Sequence, residues 1–284
     1  MINFSLQEFC DIDGIGAASG LLIEQGQLFL VSDHASYLYQ YHLKQQQLER
    51  IALVAQAQDI IAKKDKFDIE ALLKKDDTLW MFGSGSTRQR NQAFSYHLST
   101  HQLSMIDLGD LYQQFKQVAG FGDDALNIEG VIYHAGQWLF FQRGNGASAI
   151  NGVFTVVGEQ LTGPQHVGFT AVPLPQIQQV TASFTDAILV NEQIYFLAAV
   201  ENSASTYDDG EVLGCFIGCM DLMTKQVKFT QHISSHHKFE GLALYQQTGA
   251  EKTSHSLTFL LCEDNDTEQL TTTIYQLNLL FTSK

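Results

Sequence analysis

Short apolar runs separated by polar turns fill almost the whole chain, and one unit of this pattern recurs five times. Recurrence at a spacing of tens of residues marks a repeat architecture, in which each unit is one supersecondary element. Every unit opens on a polar-to-apolar motif: Ala18-Ser19-Gly20-Leu21-Leu22, Ile69-Glu70-Ala71-Leu72-Leu73, Ile128-Glu129-Gly130-Val131-Ile132, Thr185-Asp186-Ala187-Ile188-Leu189 and Phe239-Glu240-Gly241-Leu242-Ala243. With Ser19, Glu70, Glu129, Asp186 and Glu240 taken as equivalent, the intervals are 51, 59, 57 and 54 residues, which suits a four-stranded blade. Hairpin-type turns follow four of the openings, at Gln25-Gly26, Asp76-Asp77, Ala135-Gly136 and Asn191-Glu192. Each opening then leads to a second strand rich in aromatic and branched residues: Leu28 to Val31, Leu79 to Phe82, Trp138 to Phe141, Ile194 to Leu197 and Leu257 to Leu261. In the fifth unit the turn stretches from Tyr245 to His255.

Third strands read at Tyr37 to Leu43, Phe94 to Leu98, Gly152 to Val157, Cys215 to Leu222 and Thr272 to Leu279. Fourth strands read at Arg50 to Ala55, Gln102 to Asp107, within Val167 to Leu174, and at Gln226 to Ile233; the fifth unit has none before the last residue. A spare strand at Ile2 to Phe9 supplies the missing one, because an unpaired outer edge is a liability that ring closure removes. The expectation is all-β: a five-bladed β-propeller, one domain over 1–284, with the N-terminal strand closing the last blade. Asp107 to Ala119 has helical apolar spacing and predicts one short helix between blades two and three.

Composition adds limits. Acidic residues outnumber basic ones 31 to 16, a formal charge of −15 that repels a phosphate backbone, so nucleic acid is not expected as a partner. No apolar run is long enough to cross a bilayer and the start lacks the features of a signal peptide, so the expectation is a cytoplasmic protein with no membrane partner. Cys10, Cys215, Cys219 and Cys262 have no metal-type spacing and read as buried free thiols.

In an antiparallel meander the start of the first strand lies beside the end of the second, so the openings and the loops after the second strands share one face. Four carboxylates at equivalent positions, Glu70, Glu129, Asp186 and Glu240, would repel one another around a channel unless a cation relieves them. Oxygen-only ligands favour Ca²⁺, or Mg²⁺ with retained waters, over zinc or iron. The competing reading pairs these acids with Arg143, Arg88 and Lys66 or with backbone N–H groups. The loops on the same face offer Asp33 and His34 as proton-transfer groups. For a small, anionic ligand they offer Arg143, Arg88, Ser84, Ser86, Asn145, Glu201, Tyr207, Asp208, Asp209, Glu263 and Asp264. Arg143 is favoured because a guanidinium fork suits carboxylate or phosphate. Nucleophile elbow, Walker loop, dinucleotide fingerprint and H-E-x-x-H motif are all absent from the sequence.

Asp65-Lys66-Phe67-Asp68-Ile69-Glu70-Ala71-Leu72, Gly83-Ser84-Gly85-Ser86-Thr87-Arg88 and Tyr207-Asp208-Asp209-Gly210-Glu211-Val212-Leu213-Gly214 resemble the marks of an uncharacterised bacterial propeller family. The openings Glu129-Gly130-Val131 and Glu240-Gly241-Leu242 are similar, more distantly, to those of phytase-like and lactonase-like calcium-binding propellers. That likeness implies a channel metal and hydrolysis of an ester, lactone or phosphoester. Two functions follow from the residues: a metal-dependent hydrolase, or a propeller that binds a small ligand or a protein without chemistry.

Overall fold

The computed structural model describes residues 2–145, 150–163, 165–202, 210–250, 254–264 and 270–282. Five four-stranded antiparallel sheets follow one another along the chain. Blade one is Ala18–Glu24, Gln27–Ser32, Tyr37–His42 and Gln47–Ala52; blade two is Ile69–Lys75, Thr78–Gly83, Gln92–His97 and Leu103–Asp107. Blade three is Ile128–His134, Gln137–Gln142, Gly152–Val157 and His166–Ala171; blade four is Ser183–Val190, Gln193–Asn202, Glu211–Asp221 and Val227–Ser234. Blade five takes Phe239–Ala250, Ser254–Glu263 and Thr271–Thr282 and is completed by Ile2–Asp13, which pairs antiparallel with Thr271–Thr282. The expected propeller and its closure are both present. A two-residue ribbon, Gln176–Ile177 with Val180–Thr181, is an addition the sequence pattern did not announce.

Local chemistry accounts for the hairpins. Gln25-Gly26, Ala135-Gly136 and Asn191-Glu192 hold both turn residues at positive φ, the twist that matches two right-handed strands. In blade five the expected long turn is strand instead. The pairing runs on to Ala250 and Ser254: Gln246, Gln247 and Thr248 are exposed and pair with Thr258, Leu257 and Ser256, of which Leu257 stays buried in the core.

Apolar side chains fill five separate seams, one between each pair of adjacent blades. The helix Gly109–Ala119 covers the seam between blades two and three. It buries Leu111, Tyr112 and Phe115, and the Phe115 ring stacks on Phe154 with centroids 4.3 Å apart. Tyr112 also fixes a loop of the polar face, for its hydroxyl donates to the Gly83 carbonyl at 2.8 Å. Its ring lies where a side chain at Gly85, at φ +78°, would fall, so glycine is needed there on both counts. No helix among the described residues is long and apolar enough to cross a membrane.

Candidate functional site at the polar mouth of the channel

Each innermost strand carries one bulge near its start, and the bulge sets which residue faces the channel mouth. The register shifts between Ala18 and Gly20, Ile69 and Ala71, Ile128 and Gly130, Phe184 and Asp186, and Phe239 and Gly241. The bulged residues are therefore Ser19, Glu70, Glu129, Thr185 and Glu240. Asp186 does not belong to this set. It sits one step deeper, at the position held elsewhere by Gly20, Ala71, Gly130 and Gly241, where adjacent strands nearly touch. There its carboxylate accepts the N–H groups of Ala187 and Leu242, both at 2.7 Å, and so ties blade four to blade five. Burial still holds the Asp186 carboxyl well above the usual carboxylate range, against the pull of those two donors.

The two hydroxyls of the ring share one job. Ser19 donates to the Ile69 carbonyl at 2.5 Å, and Thr185 donates to the Phe239 carbonyl at 2.6 Å. Each reaches the residue just before the ring acid of the next blade. This leaves Glu70, Glu129 and Glu240 as the acids of the ring, buried to 9%, 1% and 3% exposure.

Four buried cations interleave with these acids and with a second tier. The ammonium of Lys66 bridges Asp33 and Asp68, the latter at 3.0 Å. Asp68 also accepts from Ser84 at 2.5 Å and from Arg90 at 2.7 Å, while Ser86 bonds Ser84 and Arg90, both at 2.9 Å. On the other side Arg143 reaches Glu129 at 3.1 Å, Glu201 at 2.5 Å and Glu240 at 3.8 Å. Lys238 bridges Glu240 and Asp264, both at 3.0 Å. Asn127 donates to Glu129 Oε1 at 2.8 Å and lies 3.5 Å from the Asn145 amide oxygen. For all three of Lys66, Arg143 and Lys238, burial favours the neutral form, but the carboxylates outweigh it and raise the pKa, so these groups stay charged.

Two acceptors escape this pairing. Glu70 makes no hydrogen bond or ion pair with any described residue. Glu129 Oε2 is buried and unpartnered although Oε1 is doubly engaged. Burial is the first cause that lifts the Glu70 carboxyl well above its usual range; the charges of Glu129, Asp68, Asp33 and Glu240 add to it, with that of Glu129 weighing most. Asp33, Asp68 and Glu70 each bring a carboxylate oxygen within 4.8 Å of the others, which is metal-ligand spacing in a buried acidic cluster.

At the rim, His34 Nδ1 lies 3.0 Å from Asp33 Oδ1 and about a third of the side chain is exposed. Its hydrogen bond to Asp33 raises the imidazole pKa against the opposing effect of burial. Burial would raise the Asp33 carboxyl, but His34 and Lys66 hold it below the usual range. Nε2 of His34 has no partner among the described residues.

Other candidates fall elsewhere. Arg88 is exposed on a short 3-10 turn, Arg88–Arg90, beside Asn91 and Asp107; Arg90, two residues on, is the guanidinium that turns into the mouth. Glu263 points outward, to His237 at 2.7 Å and Tyr275 at 2.8 Å. Tyr207, Asp208 and Asp209 lie outside the described residues. Asp68, Arg90 and Lys238 had not been singled out, although the sequence places Asp68 and Lys238 two residues before the ring acids Glu70 and Glu240.

Solved propellers match the fold at low identity. The glutaminyl cyclase of Myxococcus xanthus aligns with 98% of this chain and 97% of its own, at 13% identity and a TM-score of 0.54. The Malassezia sympodialis allergen Mala s 1 aligns with 94% and 95%, at 11% identity and 0.52. An exo-1,5-α-L-arabinanase from a bovine ruminal metagenomic library aligns with 94% of each chain, at 6% identity and 0.51. No curated protein sequence matches the chain. The model of the family of unknown function DUF6929 matches residues 14–279, nearly all of this five-bladed ring and its polar mouth, and the chain belongs to that family.

Proposed function

We propose that the polar mouth is an active site for the hydrolysis of a small ester or lactone, with His34 as the group that moves the proton. The carrying observation is the Asp33–His34 pair: Nδ1 lies 3.0 Å from a carboxylate that Lys66 in turn anchors, and Nε2 at the rim has no partner among the described residues. An imidazole oriented in this way takes a proton from water through Nε2 as the water oxygen bonds to the acyl carbon. It returns that proton to the leaving oxygen as the acyl–oxygen bond breaks. A phosphoester, or any anionic substrate, is supported less well. Arg143 is already shared among three carboxylates, and Arg88 stands outside the mouth.

The second reading keeps the same substrates and adds a hard divalent cation, Ca²⁺ above all, at Asp33, Asp68 and Glu70. Metal-ligand spacing and an oxygen-only donor set favour it. Against it, Lys66 already neutralises two of the three carboxylates, so one uncommitted acid remains where calcium takes roughly six to eight oxygens. A propeller that binds a ligand without chemistry is the remaining alternative. A panel of small esters and lactones, assayed with calcium and with a chelator, separates the three. Activity that survives the chelator and falls at least ~100-fold in a folded His34→Gln variant supports the first reading. Activity that needs calcium supports the second, and no turnover on any substrate leaves the binding propeller.

A further inference from the structure

The cations of the mouth follow a rule with one gap. Lys66 fills the space between Asp33 and Asp68, and Lys238 fills that between Glu240 and Asp264. Arg143 fills the space among Glu129, Glu201 and Glu240. Glu70 and the second oxygen of Glu129 stand on adjacent blades at equivalent bulges, and among the described residues no cation forms an ion pair with Glu70 or a hydrogen bond with Glu129 Oε2. Glu129 Oε2 is cut off from water, and the Glu70 side chain is nine-tenths buried. An acceptor buried without a donor carries its full desolvation cost. Elsewhere in the mouth that cost is met by a cation of the chain, twice a lysine ammonium.

We infer that the mouth binds a ligand through a primary ammonium group seated between Glu70 and Glu129, in the manner in which Lys66 is seated between Asp33 and Asp68 and Lys238 between Glu240 and Asp264. Three N–H donors on one small cation match two carboxylates and one further acceptor, whereas a bare divalent ion needs more oxygens than the gap offers. The inference rests on the reading of the mouth as a substrate site and names its substrate class: an amine-bearing small molecule, held next to Asp33 and hence beside His34. It also reverses the expectation of an anionic ligand. Among the described residues Lys66, Arg143 and Lys238 are each ion-paired with at least two carboxylates, while Glu70 has no ion pair and Glu129 Oε2 no hydrogen bond.

The experiment is a titration of the full chain with n-butylammonium chloride, followed by NMR shifts of the side chains at constant ionic strength. n-Butanol, tetramethylammonium, calcium chloride and inorganic phosphate serve as comparison probes. Saturable binding of n-butylammonium at least ~10-fold tighter than of n-butanol or tetramethylammonium is expected. Glu70→Gln should weaken it at least ~10-fold, about 1.4 kcal/mol. Glu70→Ala serves as the second variant should the amide find a new partner. His34→Gln should change it less than ~2-fold, which separates this inference from the hydrolytic one: hydrolysis can fail while the amine still binds, and the reverse. No saturation by n-butylammonium, or equal binding by wild type and both Glu70 variants, overturns the inference. So does tighter binding of calcium or phosphate at the same groups.

Discussion

The two ends of the channel are built from the same five strands and could hardly differ more. At the mouth, the first residues of the innermost strands bring Glu70, Glu129 and Glu240, with Asp68 and Lys238 beside them. A few residues farther along the same strands, Leu21, Leu72, Val131, Ile188 and Leu242 line a cavity of about 400 Å³ at the other end. Between the two lies the waist, where Gly20, Gly130 and Gly241 let adjacent strands approach and Asp186 pins blade four to blade five. The aliphatic end gains stability from the burial of residues such as Leu21 and Leu242. The mouth buries charge at a desolvation cost that only mutual pairing offsets, and the offset is incomplete at Glu70. A fold that needed only stability would place aliphatic residues at both ends, and the incomplete pairing is what the proposed amine would complete.

Three changes break or sharpen this contrast. Arg143→Met has the largest expected effect. It leaves Glu129, Glu201 and Glu240 facing one another in the interior, so about 3–5 kcal/mol of stability at neutral pH should be lost in denaturant unfolding. Adding Glu129→Gln should recover part of that loss; full additivity of the two changes would show that the pair does not interact. Leu242→Ala comes next, at about 2–4 kcal/mol, because it empties a fully buried aliphatic position at the far end. It should leave n-butylammonium binding unaltered, and a change there would mean that the two ends are not independent.

The smallest effect has the opposite sign. A carboxyl whose folded pKa lies above its ordinary value keeps its proton longer in the folded chain than in the unfolded one. Stability therefore falls as pH rises from the ordinary carboxylate range, near 4.5, toward the raised value. Glu70→Gln removes that fall. The variant should match wild type at pH 4 and be more stable by roughly 1 kcal/mol above neutrality. Equal stability across the whole range would show that Glu70 is not an unpaired charge in the folded protein.

The error at Asp186 shows how the site was legible and where it was not. Aligning the openings by their acids put Asp186 beside Glu240. Aligning them by the preceding apolar residue, Phe184 with Ile69, Ile128 and Phe239, gives Thr185, as the bulge does. The apolar residue is the better guide because it is fixed by packing in a seam, whereas an acid can serve at either of two depths. Arg88 and Arg90 differ in the same way. Both follow the second strand of blade two, and only the turn between them decides which one turns inward.

The five repeats, the spare N-terminal strand and the helical spacing of Asp107 to Ala119 determined the fold, since hydrophobic period and pairing deficit are properties of the chain taken in order. The chain also determined that carboxylates recur at the starts of the innermost strands. Which acids meet which cations was decided only by closure of the ring. Lys66 with Asp33, Arg143 with Glu201 and Lys238 with Asp264 lie between 26 and 58 residues apart, and their contacts depend on loop paths and bulge registers that no local pattern records. Glu70 is distinguished by having no partner among the described residues, and that is visible only once the side chains around it have been placed.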